Sequence, residues 1–76
     1  MKEQARRETL RINAIVLAGM RDSMQLVLED LQEQRRTLQR SGLSDSVLDE
    51  NIVLLNAAIY ELDNRVIVPL RSLIWR

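Results

Sequence analysis

Residues 38–48 read Leu-Gln-Arg-Ser-Gly-Leu-Ser-Asp-Ser-Val-Leu, and this stretch divides the chain. Gly42 suits the left-handed position that ends a helix. Ser44 is a good N-cap for a second helix, with Asp45 in the first turn where the helix dipole favours an anion. Leu43 before the cap and Leu48 after it have the spacing of a hydrophobic staple. The reading is helix over about 4–40, a turn at 41–44, and helix over about 45–75. A connection this short turns the second helix back on the first. The expected fold is therefore all-α, a single-domain antiparallel two-helix hairpin.

Outward from the turn, helix 1 carries an apolar residue at every seventh position: Leu10, Leu17, Met24, Leu31 and Leu38. Taking these as heptad position a, the d positions are Asn13, Met20, Val27 and Gln34. Helix 2 has Ile52, Ile59, Val66 and Leu73 at a, and Leu48, Leu55, Leu62 and Pro69 at d. Folding at Gly42 sets Leu38 near Leu48, Leu31 near Leu55, Val27 near Ile59 and Met20 near Val66, so the two seams meet in register. Pro69 lacks an amide donor and follows three β-branched residues, Val66, Ile67 and Val68. The helix either kinks there, or stops and restarts as a short third helix with Pro in its first turn. Gly19 marks either a close approach or a bend.

Helix 2 has a second apolar stripe: Val53, Tyr60, Ile67 and Ile74, flanked by Leu54, Val68 and Trp75. At 3.6 residues per turn this stripe lies opposite the a/d seam. One partner helix covers only one side, and a helix apolar on both sides is normally buried on both. Seven large side chains left in water forgo on the order of 10–20 kcal/mol of burial, an upper bound, which rivals the stability of a small domain. Ile12, Ile15 and Val16 lie off the helix 1 seam, beside residues 66–74 in the expected hairpin. The expected interface is thus Ile12, Ile15, Val16, Val53, Leu54, Tyr60, Ile67, Val68, Ile74 and Trp75, concentrated at the open end. The tail that holds Trp75 is read as protein contact rather than as a segment lying on a membrane.

Size points the same way. A 76-residue chain is marginal alone, and small folds lean on disulfides, metals or association. With no Cys and no His, a disulfide is excluded and no zinc site is expected. Association remains: hairpins packing into a helical bundle, a homodimer first. The same absences remove the common general base and thiol nucleophile, and the seven Ser and Thr have no visible base partner. No enzyme activity and no cofactor are expected. The apolar run Ile12–Met20 is too short to span a bilayer, and the absence of Cys fits the cytoplasm. Compactness suggests a bacterial or phage protein.

Charge sums to zero but is unevenly placed: residues 22–64 hold nine acids against Arg35, Arg36 and Arg40, while both ends are basic. Those three arginines, or Lys2, Arg6, Arg7 and Arg11, are the candidates for phosphate contact in an alternative reading as a nucleic-acid-binding dimer. That alternative resembles, in architecture alone, the small RNA-binding plasmid regulators of the Rop type, whose hairpins dimerise into a four-helix bundle. The stretch Leu54-Leu55-Asn56-Ala57-Ala58-Ile59, after a glycine-containing turn, also resembles the second helix of small co-chaperones of type III secretion needles. That resemblance implies a hairpin that binds another protein. The function expected from the residues is a non-enzymatic interaction module that self-associates and serves as assembly subunit, adaptor, co-chaperone or protein inhibitor.

Overall fold

The computed structural model describes residues 2–74, all helix outside one turn. The first helix, α1, runs Lys2–Arg40. The second, α2, runs Ser46–Leu62 and passes through a π-helical turn, Asp63–Ile67, into α3, Val68–Ile74. No strand occurs among the described residues. The α2–π–α3 limb runs back along α1: Leu38 packs on the cluster that contains Leu48, Arg21 meets Asp63, and Leu10 stands beside Leu73. The result is a rod of 61 × 16 × 16 Å.

The turn forms for the reason its sequence suggests. Gly42 has φ +71, which a side chain would strain. The Gly42 amide donates to the Gln39 carbonyl (3.0 Å) and the Leu43 amide to the Leu38 carbonyl (2.9 Å), a complete Schellman closure of α1. The capping residue differs from expectation. Asp45, not Ser44, is the N-cap of α2, accepting from the amides of Val47 (3.0 Å) and Leu48 (3.1 Å). A carboxylate there satisfies two free amides and faces the positive end of the helix dipole as well. With the cap one residue later, the staple spacing is lost and Leu43 stays exposed.

The main core cluster is Leu28, Leu48, Ile52 and Ile59, with Met24, Leu31, Leu38 and Leu55 packed against it, and Ile67 is buried further along the return limb. One α1 column is as expected; the other is not. Met20 and Val27 are each 53% exposed, whereas Leu28 is 3% exposed. Ala14, Arg21, Leu28 and Arg35 turn inward in place of Asn13, Met20, Val27 and Gln34. Arg21 is held there by Asp63, Nε lying 3.1 Å from both carboxylate oxygens. The buried stem of an arginine packs as hydrocarbon while its head finds a partner.

The second correction comes from the π turn. Here the Val68 amide donates to the Asp63 carbonyl, five residues back, adding one residue to the turn. The Tyr60 carbonyl accepts from the Asn64 side-chain amide at 2.9 Å. The extra residue advances the inward column by one. Ile67, Leu70 and Ile74 face α1, while Val66, expected in the seam, is exposed, as is Leu73. Ile67, expected on the outer stripe, is 4% exposed within a single chain. Pro69 moves off the seam into the first turn of α3. The limb therefore passes Pro69 by widening the turn before it. Gly19 permits no close approach: nothing lies within 4 Å of where its Cβ would be.

Candidate protein-interaction surface

The geometry of the two seams decides what is left outside. At about 100° per residue, the inward column of α1 leaves Val16, Met20 and Val27 on one flank. Ile15, Ala18 and Asp22 lie on the other, and Ile12 and Leu26 on the outer edge. The same arithmetic on the return limb sends Val47, Leu54 and Ala58 to one flank and Val53 and Tyr60 to the other. Two antiparallel helices related by a perpendicular two-fold keep like flanks on the same side of the pair. Surface depressions agree: Leu31, Asn51, Leu54 and Ala58 line one, and Ala18, Asp22, Asp63, Val68 and Arg71 line another.

The rod thus has two unlike broad faces. The Met20 face gathers Val16, Met20, Val27, Leu54, Val66 and Leu73, all exposed. At its rim Glu61 and Arg65 pair with each other at 2.7 Å. The Tyr60 face gathers Ile15, Val53, Tyr60 and Val68, exposed likewise, but interleaves them with Asp22, Asp63 and Arg71.

Each sequence-selected residue can now be placed. Ile12, Ile15, Val16, Val53, Leu54, Tyr60 and Val68 are exposed; Val53 is 65% and Tyr60 66% exposed. They do not form one stripe: Val16 and Leu54 go to the Met20 face, Ile12 to the outer edge, and the others to the Tyr60 face. Ile67 is core and Ile74 is half-buried, both turned inward by the π turn. Trp75 lies outside the described residues. The apolar excess also runs the whole rod rather than the open end, because Leu26, Val27, Leu43 and Val47 are exposed towards the turn. Sequence reasoning missed Met20, Val27, Val66 and Leu73 as surface residues. The overlooked signal was the pairing of Arg21 with Asp63, opposite charges at matching heights on the two limbs.

The arginines near the turn are engaged locally. Arg36 donates to Glu33 through Nε (2.9 Å) and Nη2 (2.7 Å), and Arg40 lies 4.0 Å from the same carboxylate. The hydrogen bond from Arg36, then its charge, hold the Glu33 carboxyl below the ordinary glutamate value. Arg35 is half-buried in the inward column. At the other end Lys2, Arg6, Arg7 and Arg11 are exposed and interspersed with Glu3 and Glu8. No helix among the described residues is long and apolar enough to cross a membrane.

No family model, curated protein or solved structure matches the chain.

Proposed function

We propose that the chain is a non-enzymatic protein–protein interaction module: a helical hairpin that self-associates into a bundle and, as a bundle, presents a surface to another protein. The roles this suits are assembly subunit, adaptor, co-chaperone or protein inhibitor. One observation carries the reading. Among the described residues five large apolar side chains are buried and fourteen are exposed. Single exposed apolar residues are ordinary, but contiguous faces of them mark contact sites. A core of five leaves a small chain marginal until something covers the rest. The lack of Cys supports a reducing compartment, the cytoplasm.

The test is the mass of the purified chain by sedimentation and light scattering across a range of concentration and salt. The expected result is an oligomer that persists or tightens as salt rises, since apolar association is not screened. A monomer at every concentration overturns the proposal. Tight binding to RNA or DNA that weakens steeply with salt would assign the surface to phosphate instead.

A further inference from the structure

Resting on that reading, we propose that the occupant of the Met20 face is a second copy of this chain, docked antiparallel, so that the turn of each rod lies over the open end of the other.

Area, register and charge argue together. A stable interface needs about 800 Å² per partner, and a rod 61 Å long and 16 Å wide offers that on one broad face. The Met20 face is the better candidate because its middle carries little unpaired charge: Glu61 and Arg65 pair with each other at the rim, Asp30 accepts from the Gln34 amide at 3.0 Å, and Arg6 stands out towards the open end. The Tyr60 face would bury Asp22 and Arg71, at the desolvation cost of charge. A closed pair uses the same patch on both subunits, so the face must match itself when reversed. It does. Met20 stands beside the midpoint of α1, whose ends are Lys2 and Arg40. Val27 and Val16 lie about equally far on either side of that midpoint. On the return limb, Leu54 lies at the height of Leu31 and Leu73 at the height of Leu10, again about equally far from it. Reversal about the midpoint therefore sets Val27 over Val16, Leu54 over Leu73, and Met20 over its own copy.

A parallel pair would also bring apolar residues together, so charge selects the direction. From Glu29 to Glu50 acids outnumber bases six to three; from Lys2 to Arg11 bases outnumber acids four to two, and Arg71 adds to them on α3. The antiparallel pair sets basic open ends over acidic turn halves, and the parallel pair sets like over like.

The chain has no cysteine, so labels can be placed singly. Thr9 and Thr37 are exposed, lie on the Met20 side of α1 and sit near its opposite ends. Spin labels on Thr9→Cys and Thr37→Cys are expected to give short distances when the two variants are mixed and long distances in either variant alone. Val27→Glu is expected to weaken the pair at least about tenfold with helical content unchanged, because Val27 is half outside its own fold. Asn56→Glu, the same charge on the Tyr60 side, is expected to leave it unchanged. A pair that survives Val27→Glu, or labels that are close only within one variant, overturns this inference and leaves self-association standing. A chain that is monomeric at every concentration overturns both.

Discussion

The Nε of Arg21 lies 3.1 Å from both carboxylate oxygens of Asp63, bridging α1 to the first residue of the π turn. Both side chains are about one-third exposed, 30% and 33%, so water screens the pair. A double-mutant cycle with Arg21→Ala and Asp63→Ala is expected to give a coupling of about 0.5–1 kcal/mol. That coupling should shrink as salt rises. Denaturant titration of the four variants measures it, and a zero coupling would remove this bridge as a register-setting contact.

The phase of the packed column beyond the π turn can be read by truncation. Ile67→Ala is expected to cost about 2–4 kcal/mol, as a buried isoleucine does, whereas Val68→Ala should cost less than about 1 kcal/mol. On α1, Leu28→Ala and Leu26→Ala should differ in the same way. Equal costs within either pair would contradict the observed register.

Those pairs also show where the sequence was readable. Gly42 announced the turn, because its left-handed backbone leaves few alternatives, and Leu10 to Leu38 announced one α1 column by repetition. The second column was misassigned on composition. Met20 and Val27 look like core beside Arg21 and Arg35, and only Asp63, on the returning limb of the same chain, reveals why Arg21 sits inside. The outer stripe of α2 was legible as far as Tyr60. Past Leu62 a count of sevens fails, since local sequence does not advertise a five-residue hydrogen bond. Pro69 was the sole warning, and by itself it fits a kink as well as a stop and restart.

At the turn, Asp45→Ala is expected to lower stability by about 1 kcal/mol and Ser44→Ala by almost nothing, because only Asp45 receives the two amides. Gly42→Ala, at φ +71, should cost roughly 1 kcal/mol through backbone strain alone, since its Cβ would meet open space. Thermal or urea unfolding of the three variants decides the order.

Glu33 gives a pH signature. Its folded carboxyl titrates below the ordinary glutamate value, chiefly through the Arg36 hydrogen bond. A lowered folded value means that this contact stabilises the fold above the unfolded value, and that the contribution disappears as pH falls through the folded one. Carboxyl chemical shifts against pH should place Glu33 below the ordinary glutamate value, and Arg36→Ala should return it towards that value.

The widened turn at Asp63–Ile67 works as a vernier. Removing its one surplus residue would swing Val68–Ile74 by about 100° about the axis relative to everything before it. A single insertion or deletion at this point re-aims the tip of the rod towards a different neighbour, while the four-residue heart around Leu28 and Ile52 is left as it stands.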